Sequence, residues 1–285
     1  MRLIRYFLEY VLIIILFGLF KLLGYRIASE FGCLLGKTFG PFFKSKKIIN
    51  NNLIKFDNSL TPEKIENITK EMWGNYGRIL SEYAYISSFR KGDLDEHIKI
   101  ENKEKLEEVK KGQPVVFISA HFNNFELMAM AIEKAGVNLS AVYRPLNNKM
   151  VNSIMEPLRK KYICKNQIKK GVGGLKELIK LNKEGFSTAL MIDQRVSQGI
   201  KSNFFNQKAY TTTIPAQLIK KFGMQVVPIF IERFDGIKFK ITVDKPINFE
   251  DNKSIAEITS ELNKSIENMI LKKPNYWIWS HNRWK

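Results

Sequence analysis

His121 is one of only three histidines in a chain of 285 residues, and it directly follows the apolar run Val115-Val116-Phe117-Ile118-Ser119-Ala120. Five residues on comes Glu126, ahead of Leu127, Met128, Met130, Ala131 and Ile132. β-Branched and aromatic residues over 114–120 predict a buried strand, and the apolar clustering after Glu126 predicts a helix. A histidine between the two can take a proton from a hydroxyl when one ring nitrogen is held by a carboxylate and the other is free. Were residues 121–126 all helical, His121 and Glu126 would point roughly 140° apart. Contact therefore requires His121 in the turn and Glu126 in the first turn of the helix, which Asn123 or Asn124 as helix cap would permit. Free amides around Asn123 and Asn124 would form an oxyanion or phosphate site beside it. The same spacing also fits a strand-end histidine next to an acid that merely favours a helix N-terminus.

Two more predicted strands end on charge. Residues 138–143 lead into Tyr143-Arg144-Pro145, and the buried strand over 187–193 ends at Asp193-Gln194-Arg195. Three such ends form the constellation expected of a site that binds an anion and moves a proton. The elements that must position them alternate along the chain. Thr61-Pro62-Glu63 opens a helix running to about residue 87, with cap and first-position proline in place. Further helices are predicted over 103–111, 147–162, 173–182, 214–222 and 254–271, and further strands over 97–100, 225–233 and 238–243. This pattern predicts an α/β sandwich, a mostly parallel central sheet flanked by helices, with ligands gathering at the carboxyl ends of its strands.

Forty-six Lys and Arg against 28 Asp and Glu leave a formal charge of +18, which predicts a polyanionic partner. Nucleic acid and anionic lipid both satisfy that charge. No helix-turn-helix, RNP-like or zinc-ribbon pattern supports the former, and the aromatics cluster with apolar residues rather than among the cations. Cys33 and Cys164 fit no metal or redox spacing, and three scattered histidines do not make a zinc site. Residues 3–25 are dominated by large apolar side chains interrupted by Arg5, Glu9 and Lys21. The uncharged stretch 10–20 covers roughly 16 Å as helix, about half a hydrocarbon core, so the segment contacts membrane either by a marginal span or by lying along it. No small-residue cleavage site follows, and the segment is expected to stay. One N-terminal membrane helix over 1–26 and one catalytic domain over 27–285 are the expected division. Phe39-Gly-Pro-Phe-Phe-Lys-Ser-Lys-Lys47 mixes aromatics and cations as a surface on acidic headgroups would.

His-x4-acid after one strand and Tyr-Arg-Pro after the next resemble the late acyltransferases of lipid A biosynthesis, relatives of the lysophospholipid and glycerol-phosphate acyltransferases. Asp193-Gln194-Arg195, Asn203-Phe204-Phe205, Thr211-Thr212-Thr213-Ile214-Pro215-Ala216 and the closing Tyr276-Trp277-Ile278-Trp279-Ser280-His281-Asn282-Arg283 are similar to further elements of that family. Asn282 stands where these enzymes often carry a second arginine. The resemblance implies transfer of a fatty acyl chain from acyl carrier protein to a hydroxyl of a phosphorylated glycolipid, the lipid A precursor. This would occur at the cytoplasmic face of the cell inner membrane, without metal or cofactor. It implies His121 as general base with Glu126 as its partner. Asn124, Tyr143, Arg144, Asp193, Gln194 and Arg195 become substrate contacts, and Lys169 and Lys170 contacts to phosphate or carrier protein. Competing expectations are an acyltransferase acting on glycerophospholipid or another glycolipid, and a membrane-anchored basic protein that binds nucleic acid.

Overall fold

The computed structural model describes residues 2–285. Five helices come first: α1 (Arg2–Leu23), α2 (Tyr25–Phe39), α3 (Lys46–Phe56), α4 (Pro62–Glu82) and the short α5 (Ile86–Lys91). The chain then alternates through β1 (Ile98–Glu101), α6 (Glu104–Lys111), β2 (Val116–Ser119), α7 (Glu126–Lys134), β3 (Leu139–Tyr143), α8 (Lys149–Leu158), β4 (Asn166–Lys169), α9 (Val172–Lys183) and β5 (Ser187–Met191). A hairpin of β6 (Ile200–Phe204) and β7 (Gln207–Thr211), then α10 (Ile214–Phe222), β8 (Val226–Phe234), β9 (Lys238–Val243) and α11 (Ile255–Lys272) complete it.

Seven strands form the central sheet in the order β1-β9-β8-β2-β5-β3-β4. Every neighbouring pair is parallel except β8 with β9. This is the α/β architecture that the alternation predicts. β2 is buried at all four positions, as befits a strand covered by helices on both faces. The structure adds elements that the pattern does not announce. β4 is a short polar edge strand, Asn-Gln-Ile-Lys, whose single apolar residue gives no period to read. The β6–β7 hairpin turns on Phe205 and Asn206, both at positive φ, without the glycine that usually marks such a turn.

α1 packs one face on the domain through Tyr10, Ile13, Leu16, Phe17 and the fully buried Phe20, a helical repeat of three and four residues. It is fastened near both ends. Asn148 Nδ2 donates to the Tyr6 carbonyl and the Glu9 carboxylate, each at 2.9 Å, and Tyr85 Oη donates to the Phe20 carbonyl at 2.6 Å. Its other face exposes Leu8, Leu12, Ile15, Leu19 and Leu22. By length and composition the helix is apolar enough to cross a membrane.

α2 lies against α4 at backbone contact. A Cβ on Gly77 would strike the Gly32 carbonyl, and one on Gly32 would strike the Gly77 carbonyl. Alanine ordinarily favours a helix over glycine by about 1 kcal/mol. Here the obstacle is backbone that cannot rotate away, so the sign reverses. Gly77→Ala is expected to destabilise the protein by about 1–3 kcal/mol through overpacking. A thermal melt in detergent checks this, and an unchanged or raised midpoint would mean that the two helices part without cost.

Candidate active site

β2 and β5 are parallel neighbours with Ser119 paired to Met191. Two residues beyond each strand, that register sets His121 opposite Asp193. The imidazole Nδ1 meets Asp193 Oδ1 at 2.8 Å. Asp193 Oδ2 accepts from the His121 backbone N–H at 3.0 Å and from the Trp277 indole N–H at 2.7 Å. The carboxylate is fully buried, whereas the imidazole side chain is 20% exposed. Burial by itself disfavours the imidazolium, but the charge and hydrogen bond of Asp193 outweigh it, so the His121 pKa stands above the ordinary histidine value. Burial likewise opposes ionisation of Asp193, yet the charge and hydrogen bonds of His121 and the Trp277 donor hold its pKa low. In the neutral ring the proton sits on Nδ1 toward Asp193, which leaves Nε2 as the basic nitrogen.

The carboxylate on Nδ1 is thus Asp193 and not Glu126, the partner expected from spacing. Glu126 Oε1 accepts from Arg159 Nε at 2.8 Å and Nη2 at 2.6 Å, and from the Tyr83 hydroxyl in a very short contact. Neither asparagine caps the helix. α7 begins at Glu126, with Phe125 at the cap position and no side-chain cap bond. Asn123 turns the chain at φ +41°, a left-handed conformation that asparagine tolerates, and its Nδ2 donates to the Ile231 carbonyl at 3.0 Å. Asn124 Nδ2 donates to Glu82 Oε2 at 3.0 Å. Glu126 consequently leaves the first turn of α7 toward α8 rather than back toward the ring. Its charge still acts on His121 from there.

Arg159 owes its position to an irregularity. Pro157 lies inside α8, and residues Arg159–Ile163 continue it as a π-helical turn. Proline removes a helix donor and crowds the preceding turn, and a widened turn re-aims the side chains that follow. The guanidinium sits 5.9 Å from the ring centres of both Tyr83 and Tyr143. At the helix start the Asn123 amide bonds to the Tyr276 carbonyl, while the Leu127 and Met128 amides bond back to Asn124 and Phe125. The amides of Asn124, Phe125 and Glu126 are left without a hydrogen-bond partner among the described residues.

The order β2-β5-β3-β4 lines the remaining predicted residues along one carboxyl edge. With strands about 4.8 Å apart, Tyr143 and Arg144 stand roughly 10 Å from His121, two strands away. Arg144 and Lys170 both reach the surface, and partial desolvation, followed by the neighbouring Arg144 charge, lowers the Lys170 pKa. Lys169 instead pairs with Glu156 at 3.2 Å. Arg195 turns to the chain terminus, where its Nε donates to the Lys285 carbonyl at 2.8 Å and its backbone N–H to His281 Nε2 at 3.0 Å. Desolvation pushes the His281 pKa down to about 4, so that ring is a neutral acceptor. Gln194 is half-buried beside it. Asp193, expected to touch substrate, is enclosed by its donors and touches His121 instead. A cavity of about 10 Å³ adjoins the imidazole between Asn75, Tyr76, Asn123, Trp277 and Ile278, room for one water and not for an acyl chain.

Three participants received no site role from the sequence: Trp277, although it lies in the closing motif, Tyr83, and the buried ion pair of Glu82 with Arg233. Arg233 Nη2 reaches Glu82 Oε2 at 3.0 Å, and Ser29 Oγ donates to Glu82 Oε1 at 3.0 Å. Through Asn124 this pair anchors the loop that carries His121. Glu82 at the end of an amphipathic helix and Arg233 within a strand look like ordinary surface charges until the fold is known.

The chain belongs to the bacterial lipid A biosynthesis acyltransferase family, whose model matches residues 1–285. No curated protein matches the chain. Among solved structures, the 1-acyl-sn-glycerophosphate (LPA) acyltransferase PlsC from Thermotoga maritima is similar at 12% identity and a TM-score of 0.43, covering 89% of this chain and 96% of that one. That likeness is too slight to carry an argument, and the family match carries the assignment as an acyltransferase.

Glu82→Gln would leave the Arg233 cation buried and uncompensated. An expected loss of about 3–5 kcal/mol, measured by urea unfolding, follows from breaking one side of a buried pair. A loss within error would mean that Arg233 reaches water.

Proposed function

We propose that the protein transfers a fatty acyl chain from the thioester of acyl carrier protein to a hydroxyl of a phosphorylated lipid A precursor, with His121 as general base. The observation that carries this reading is the imidazole whose Nδ1 is bonded to a fully buried carboxylate while the ring keeps 20% exposure. His121 Nε2 takes the proton as the acceptor oxygen attacks the thioester carbonyl carbon. The C–S bond then breaks, and the imidazolium returns the proton to the departing sulfur. Asp193 stabilises the imidazolium and holds the tautomer, a contribution in keeping with general-base gains of about 10²- to 10⁴-fold. The partnerless amides of Asn124, Phe125 and Glu126 suit the developing oxyanion. Glu126 acts by fixing Arg159, and Arg144 with Lys170, two neighbouring cations, suits the acceptor phosphate. The family match supports lipid A precursor over glycerophospholipid or nucleic acid as partner.

His121→Ala is expected to abolish transfer from acyl carrier protein thioester, and Asp193→Asn to reduce kcat by about 10²- to 10⁴-fold. In the wild type, activity should rise with pH through a pKa above the ordinary histidine value, because Asp193 favours the protonated, inactive ring. Full turnover by His121→Ala would remove the assigned base, and an acidic limb below that value would remove the Asp193 contribution.

The same reading places α1 on the cytoplasmic face of the inner membrane, lying along the leaflet. A helix bonded to the domain at Tyr6 and again at Phe20 cannot cross the bilayer unless the charged start of α8 enters hydrocarbon with it. Nitroxide labels at Leu8→Cys, Ile15→Cys and Leu22→Cys, in a Cys33→Ser background on phosphatidylglycerol–phosphatidylethanolamine vesicles, are expected at equal depth by oxygen accessibility. A profile deepest at Ile15 and shallow at both ends would establish a span.

A further inference from the structure

We propose that Trp277 is a positioning residue for the His121–Asp193 pair, its indole N–H locking the rotation of the Asp193 carboxylate so that Oδ1 faces the imidazole. This rests on the reading of His121 as the base. The two carboxylate oxygens divide their work. Oδ1 receives the imidazole alone, and Oδ2 receives both the His121 amide and the Trp277 indole. Two donors on one oxygen fix the carboxylate plane and draw charge toward Oδ2.

Buried tryptophans need an acceptor for their N–H, and a backbone carbonyl ordinarily serves. Trp279 donates to the Pro274 carbonyl at 2.7 Å, and Trp284 to the Phe204 carbonyl at 3.1 Å. Trp277 instead donates to the one carboxylate that holds His121. Its place is fixed from both sides of the indole. Trp277 forms an isolated β-bridge with Phe122, next to His121, and the preceding Tyr276 carbonyl accepts the Asn123 amide at 3.3 Å. Trp279 stands edge-on at 4.6 Å between ring centres, and Phe204 lies at 5.8 Å. The C-terminal segment thereby enters the site as a second support for the base. Without the N–H, Oδ2 would keep only the His121 amide. The freed carboxylate would be more basic and would favour the imidazolium more strongly, raising the pKa of the ring while orienting it less well.

The test compares the full-length wild type with Trp277→Phe, and with a variant carrying β-(3-benzothienyl)alanine at position 277, which keeps the shape of the indole and lacks the donor. Both should lose about tenfold in kcat with KM for the acyl carrier protein thioester unchanged, the low end of what losing an outer hydrogen-bond partner of a functional group costs. The acidic limb of the kcat/KM profile should move to higher pH. The His121 imidazole, titrated by 15N NMR and assigned by its loss in His121→Ala, should titrate higher as well. A folded benzothienyl variant with unchanged limb and unchanged titration would reduce Trp277 to packing and overturn the proposal. The NMR titration needs no turnover, so it decides the role of Trp277 even if His121→Ala proves active and the base assignment fails.

Discussion

A carboxylate with no exposure, at the end of a central strand, is the constraint on which this site depends. Asp193 would carry a prohibitive desolvation cost alone, and it stays ionised because three donors converge on it. Those donors come from the turn after β2 and from the far end of the chain. Sheet pairing brings the first two, and the C-terminal segment must dock to bring the third. The segment is held in its turn by Asn52 of α3, whose Nδ2 donates to the Trp279 and His281 carbonyls at 2.8 and 2.7 Å. Burying one charge therefore links the N-terminal helices, the sheet centre and the terminus.

Three carboxylates near the site each have a cation or potential cation of their own. Asp193 holds His121, Glu126 holds Arg159 and Glu82 holds Arg233. Of the three, only Asp193 touches the imidazole, and the others hold loops and helices. Arg283 is the exception. It is fully buried over the Phe204 ring, 4.7 Å from its centre, bonded to the Tyr210 carbonyl and Thr211 hydroxyl, and desolvation lowers its pKa to about 10. It fastens the terminus to the hairpin rather than facing a phosphate.

The apolar first helix is mechanically continuous with this arrangement. α1 bonds to Asn148, Asn148 caps α8 through the Met150 and Val151 amides, and α8 ends in the turn that presents Arg159 to Glu126. A membrane contact made by the outer face of α1 thus bears directly on the helix that shapes one wall of the site. The fixed docking also distinguishes α1 from a tethered anchor, whose tilt and depth would be independent of the domain.

Strand ends bearing His121, Tyr143, Arg144 and Asp193, the alternation of strand and helix, and the apolar N-terminal helix were legible in residue order, because periodicity and chemistry at element ends are local properties. So was the class of reaction, through motifs spread along the whole chain. Which carboxylate would meet the imidazole was not legible. His121 and Glu126 are five residues apart and share a turn, whereas His121 and Asp193 are separated by 72 residues. A hydrophobic period reports that a strand is buried but not which strand lies beside it. Only the order β2–β5 in the folded sheet, and the docking of Trp277 onto it, made that choice.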